Sequence, residues 1–174
     1  TDGDGKAEVA VGAEWNPGDT INSGAVFYMV PPADRKHRWQ PVKLAHEPTT
    51  HRMRWVKNRE NEFELVVVPL HGRGNKNGQG AGVKILAYKK PADPEKTWST
   101  RVIDDALHMT HNFDVKSGTS KSGFFAQVLL GGREDVMAVK VQSGKWDRRA
   151  ASLPGITNST FVGAGEIRLG ITAG

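Results

Sequence analysis

The stretch THRMRWVKN, residues 50–58, returns sixty positions later as THNFDVKSG, residues 110–118. Both copies open on Thr-His and then alternate apolar and polar side chains. Other markers keep the same spacing. Trp39 and Trp98 stand 59 apart, and Gly24 and Gly82, each leading an apolar run, stand 58 apart. The series continues at Thr157, 47 after Thr110, and at Trp146, 48 after Trp98, with Asn158 where a histidine would fall. A period of about 50–60 residues is the scale of a propeller blade, a supersecondary unit that cannot bury its apolar faces alone.

Each unit reads as short strands. EVAVG (8–12), ELVVVP (64–69), FAQVLLGG (125–132) and EIRLGI (166–171) are apolar runs ending near Gly or Pro. AVFYMV (25–30), VKILAY (83–88) and VMAVKV (136–141) follow after loops, and WQPVKL, WSTRVI and WDRRA come next. The runs are rich in Val, Ile, Phe and Trp and are bounded by turn residues. No stretch carries a 3.6-residue period with caps. The expected fold is all-β: four-stranded antiparallel blades of about 47–60 residues, in an incomplete propeller of about three blades. The competing expectation is a two-sheet sandwich. The repeat divides the single domain 1–174 into part of a blade (1–49), two blades (50–109 and 110–156) and the start of another (157–174).

Composition narrows the function. The chain has no cysteine, which removes disulfides and thiolate chemistry. Its 24 Lys and Arg against 19 Asp and Glu give +5, but the basic residues are scattered, so no nucleic-acid partner is expected. No apolar run approaches the roughly 18 residues of a membrane span, so no membrane partner is expected either. The chain starts at TDGDGK, partway through a motif, and stops at GITAG, so it reads as a piece cut at both ends.

That first motif, DGDGKAEVAVG, alternates carboxylates in a glycine-rich turn ahead of a strand. Such a turn can bring several oxygens round one hard cation. The motif resembles the calcium-loop-plus-strand signature of FG-GAP/VCBS repeats. Asp2, Asp4, the Lys6 carbonyl and Glu8 are the ligands it implies, for a divalent ion (calcium, magnesium or zinc). The plain alternative is an Asp-Gly turn. In the second copy Asn58, Glu60 and Glu64 fall at the positions of Asp2, Asp4 and Glu8, but Arg59 and Asn61 replace the glycines.

Further phrases, TTHRMRW, VVVPLHGRGNKNGQGAGVKILAY, DDALHMTHNFD and GAGEIRLGITAG, make the chain resemble the propeller of aldos-2-ulose dehydratase-type proteins. That resemblance implies a seven-bladed propeller joined to cupin domains, and dehydration of keto-sugars such as 1,5-anhydrofructose and glucosone. It makes the expected partners a small sugar, the missing blades and the cupin domains. The alternative is a non-catalytic FG-GAP/VCBS propeller that binds a glycan or a protein.

Chain direction places the candidates. The Thr-His strand precedes the calcium-type loop, so it is the innermost strand of its blade. His51 and His111 then head inner strands at the top of the central channel. The long loops 12–24 and 70–82 bring Glu14, Trp15, His71 and Arg73 to the same face, and GGRED brings Arg133. Loss of water from a keto-sugar needs a base for the proton alpha to the carbonyl, and histidine suits it. It also needs a cation for the developing enolate, and arginine suits that. His51 or His111 is the expected base of a carbon–oxygen lyase. Arg52, Arg54, Trp15, Glu14, His71, Arg73 and Asn112 are the expected substrate contacts. Each histidine also has an architectural reading, as a cap on the strand turn. His37, His46 and His108 read as solvated, and the Trp39–Trp98–Trp146 series reads as packing between blades. Asp104-Asp105 reads as a turn.

Overall fold

The computed structural model describes residues 4–59, 62–121, 123–134, 136–149 and 163–170. Among them there is no helix, and hence none long and apolar enough to cross a membrane. Eleven strands form three antiparallel sheets. The first holds β1 (Val9–Ala13), β2 (Ala25–Val30) and β3 (Gln40–Leu44), in that order. The second holds β4 (Thr50–Arg59), β5 (Glu62–Pro69), β6 (Ile85–Lys89) and β7 (Ser99–Asp104). The third holds β8 (Thr110–Ser120), β9 (Gly123–Gly132), β10 (Val136–Gln142) and β11 (Lys145–Arg149). Each sheet is a meander in chain order, and the sheets do not close on one another. This is part of a β-propeller. The two-sheet sandwich is not found.

The second sheet explains the unbroken apolar runs. In β5, Val66 and Val68 pack into a cluster with Phe113, Val128 and Leu130 of the third sheet. Leu65 and Val67, which alternate with them, pack with Val26, Tyr28 and Leu44 of the first sheet. The same split holds in β6, with Ile85 and Ala87 facing one way and Leu86 and Tyr88 the other. Successive side chains point to opposite faces. A blade with a neighbour on both sides must therefore be apolar at every position. Where a face has no described neighbour the pattern relaxes, and Val9 and Val11 of β1 are exposed.

Polar clasps join the blades at the lower edge. Glu64 is buried and takes hydrogen bonds from Arg101 Nη2 at 2.6 and 2.7 Å. It also accepts one from Trp146 Nε1, a residue of the third sheet, at 2.7 Å. Removing one partner of such a buried charge costs about 3–5 kcal/mol. The first sheet repeats the device: Glu8 meets Lys90 of the second blade at 3.3 Å and Tyr28 at 3.2 Å. Trp98 packs against Tyr28 with ring centroids 5.1 Å apart. Thus Trp98 and Trp146 join blades, as the spacing led one to expect. The Trp39 indole donates to the Arg35 carbonyl, as the Trp98 indole does to the Pro94 carbonyl, and the Arg35 guanidinium lies over the Trp39 ring.

One expected strand is absent. Residues 166–170 of the EIRLGI run form no strand. The segment lies beside β8 through side chains: Asn112 Nδ2 donates to Glu166 at 2.5 Å, and Leu169 N donates to Asp114 Oδ2 at 2.9 Å. A strand needs a ladder partner, and among the described residues this segment has none. Asp2, Glu60, Asn61, Thr157 and Asn158 lie outside the described residues.

Two-sided burial makes a prediction. Leu65→Ala and Ile85→Ala empty opposite faces of the second blade, and each is expected to cost about 2–5 kcal/mol. Equilibrium urea unfolding of the two variants checks it. A sheet with one solvated face would show a large loss at only one of them.

Candidate active site at the head of the inner strands

The inner strands β4 and β8 begin with the same irregularity. In β4 the pairing passes from Thr50↔Pro69 to Arg52↔Val68, leaving His51 unpaired. In β8 it passes from Thr110↔Gly132 to Asn112↔Gly131, leaving His111 unpaired. Both histidines are therefore the extra residue of a β-bulge. A bulge bends its strand and re-aims a side chain. Here it turns two equivalent imidazoles toward each other, with ring centroids 5.0 Å apart and planes at 54°.

A belt of backbone hydrogen bonds fixes these strand heads. Thr49 N donates to Ser23 O, Leu70 N to Thr49 O, Thr110 N to Leu70 O, Arg133 N to Met109 O and Ala164 N to Gly132 O. Threonine reinforces it: the Thr110 hydroxyl donates to Pro69 O, and His71 N donates to Thr49 Oγ1 at 3.0 Å. The bonds from Thr49, Thr110 and Ala164 tie the end of one blade's second strand, or the loop after it, to the chain entering the next blade, and those from Leu70 and Arg133 close the strand heads within a blade. The glycines permit the close approach; a Cβ on Gly24 would stand 2.9 Å from Thr50 N.

The two histidines have different surroundings. Trp15 stacks on His51, with centroids 4.9 Å apart and planes at 27°. His51 Nε2 is buried with no hydrogen-bond partner among the described residues. Burial, then the Arg52 guanidinium and then His111 push its pKa down to about 4. His111 is exposed, and its Nδ1 lies 2.6 Å from the Gly165 carbonyl. A carbonyl only accepts, so Nδ1 carries the proton and the lone pair of the neutral ring sits on Nε2.

A cleft opens on each side of the pair. One, of about 560 Å³, is lined by Ala10–Ala13, Trp15, Thr50, His51, Arg52 and Met53. The other, of about 440 Å³, lies between the second and third blades and is lined by Leu70, Met109, His111, Gly132 and Arg133 among others. Both fall in the usual size range of small-ligand sites.

The remaining expected contacts are distributed. Arg52 is exposed in the first cleft. The Arg54 guanidinium lies over the Phe113 ring, 5.7 Å from its centroid. Asn112 is buried and held by Glu166. Glu14 turns to Lys43, 3.1 Å away, rather than contacting the histidines. Arg73 is committed to stitching loops, through Glu47 at 3.2 Å and the Ile21 carbonyl at 2.7 Å. His71 lines a separate cleft with Asp19, Asn75 and Asn77, and burial lowers its pKa. His37 is exposed. His46 is half-buried, and the His108 side chain, solvent-accessible, meets Glu134 at 2.9 Å. Asp104 holds its turn by accepting from Ala106 N. At the amino end, Asp4 closes a turn onto Lys6 N at 2.8 Å, and Glu8 is taken up by Lys90 and Tyr28. Among the described residues no three His, Asp or Glu side chains gather as metal ligands do.

Sequence reasoning missed the bulge, the Gly165 carbonyl and Glu166. The bulge had a signal: Pro69 and the Gly131-Gly132 pair sit opposite the Thr-His heads, and Pro and Gly within strands mark such sites. Glu166 had none, because it comes from a segment that reads as a strand.

Radial four-stranded meanders with matched inner-strand heads define the class as a β-propeller. Residues 23–173 match the family described as aldos-2-ulose dehydratase, β-propeller domain, and the chain belongs to it. No curated protein matches the chain.

The depressed His51 pKa sets the sign of a pH effect. Its folded value lies below the ordinary 6.5. The unfolded chain therefore takes up that proton first as pH falls, so the stabilising contribution is full above about pH 6.5 and is lost toward about pH 4. Urea unfolding at about pH 7 and about pH 5 checks it. The loss of stability between them is expected to be smaller in His51→Gln than in the parent.

Proposed function

We propose that the chain is the propeller part of a hydro-lyase that dehydrates keto-sugars of the 1,5-anhydrofructose or glucosone type. The observation that carries this is the bulged histidine pair, 5.0 Å apart between two clefts. His111 is the base: Nδ1 is fixed on the Gly165 carbonyl, and Nε2 is left to take the proton alpha to the keto carbon. The electrons form the enolate, whose oxygen the Arg52 guanidinium stabilises, with Arg54 behind it. The enolate then collapses, the C–O bond of the beta hydroxyl breaks, and the His111 imidazolium returns its proton so that water leaves. His51 stays neutral and supplies an uncharged wall. The outer face of Trp15, a residue 46% exposed, is the apolar surface for the sugar ring. Asn112 keeps the head of β8 in place, while Glu14, His71 and Arg73 shape the loops around the substrate.

The proposal includes other parts of the parent chain, namely further blades and cupin domains. It extends to an FG-GAP/VCBS-type divalent ion at the amino-terminal turn, with Asp2, Asp4 and backbone carbonyls as ligands. Lys90 at the Glu8 carboxylate makes Glu8 the poorest of the implied ligands. The ion enters no step of the dehydration.

The test uses the full-length protein with 1,5-anhydrofructose and with glucosone, following enone absorbance in the ultraviolet. His111→Ala is expected to lower kcat about 10²- to 10⁴-fold, the usual contribution of a positioned acid–base group. His51→Ala is expected to lose less. A flat trace from the folded parent would instead favour a propeller that binds a glycan or protein.

A further inference from the structure

Trp15 belongs to the loop between β1 and β2 of the first blade, yet its indole lies on an inner-strand residue of the second. The backbone just before it is fixed. Glu14 sits in the left-handed region at φ 55° and its carbonyl accepts from Gly24 N at 2.7 Å. The Glu14 carboxylate is held by Lys43. The indole is therefore delivered by an anchored turn. On one side His51 meets this ring, and it also meets His111; these are its ring neighbours among the described residues. Its Nε2 is out of solvent without a hydrogen bond to account for it. Buried polar atoms are normally paired. Ring packing, then, rather than a hydrogen bond, fixes this imidazole. The charged and titratable groups facing it are Arg52 on its own strand and His111 from β8, while the loop that carries Trp15 turns its own carboxylate away.

We propose that Trp15 is a positioning residue for His51: its indole presses the imidazole toward His111, keeps Nε2 out of water and so leaves His111 as the member of the pair that takes the proton. Two imidazoles this close resist carrying two charges. Desolvating one of them decides where the single proton goes. The placement stands on geometry alone, and its catalytic meaning rests on the lyase reading above.

Diethyl pyrocarbonate acylates neutral, accessible imidazole nitrogen, and peptide mass spectrometry locates the adducts. In the full-length protein near neutral pH, His37 and His111 are expected to label promptly and His51 slowly. Trp15→Ala should speed His51 labelling several-fold with His37 unchanged, and Trp15→Phe should stay near the parent rate. His51 labelling as fast as His37 in the parent, or unmoved by Trp15→Ala, overturns the proposal. A second reading needs no alanine variant. Protonated imidazole quenches a stacked indole, so the emission difference between parent and Trp15→Phe should hold steady through about pH 6.5, the free histidine value, and fall only at more acid pH. A midpoint near that free value overturns the proposal. Dehydration assays on the same proteins separate the two readings. Slow, Trp15-dependent labelling in a folded protein that shows no dehydration leaves the placement and removes the lyase. Labelling indifferent to Trp15 in an active, histidine-dependent enzyme does the reverse.

Discussion

The second blade buries both of its faces against neighbouring blades, and that requirement organises the molecule. Val66 and Leu65 are neighbours in sequence, yet each sits in a different core. The second blade is held by its neighbours rather than by itself. Blades pressed together over both faces converge toward their inner strands, which brings equivalent positions of successive repeats within reach. The belt from Ser23 to Ala164 then fixes the height at which the inner strands begin. A side chain repeated once per blade becomes, at that height, a cluster.

The β-bulge converts this register into a site. In a regular ladder the residue after Thr50 or Thr110 would point into an inter-blade core, where an imidazole would cost its desolvation. The extra residue at each strand head is freed from the alternation, so His51 and His111 lean toward each other while Thr50 and Thr110 stay buried. The bulge is stable because its partners are Pro69, which lacks an N–H, and Gly131-Gly132, which leave room. The same architecture that packs the blades thus presents the two rings.

Much of this was legible in the sequence. The period of about 59 residues gave the sheets and their order, and chain direction put the Thr-His heads on inner strands. The Trp98 and Trp146 markers were read correctly as blade contacts, because an aromatic repeated once per unit meets the next unit. What was not legible is what depends on partner choice. Glu14 and Arg73 sit on the expected loops, but their charges found Lys43 and Glu47 first. Residues 166–170 have the alternation of a strand but, among the described residues, no ladder to join. Period and pattern report which way a side chain leaves the backbone; they do not report which opposite charge stands nearer.

The repeated histidine is best understood through its inequality. Two copies of one phrase place two copies of one ring, and the two rings differ in their surroundings. The difference is not written in the phrase; it comes from what each blade's neighbours add. The first blade contributes the Trp15 loop, which covers His51. The 163–170 segment contributes the Gly165 carbonyl, which fixes the His111 tautomer. Acid–base sites commonly work by setting like groups in unlike environments. A propeller is suited to this, because its inner strands repeat while its loops are free to vary. A substitution in the Trp15 loop, far in sequence from either histidine, would therefore alter one ring and spare the other.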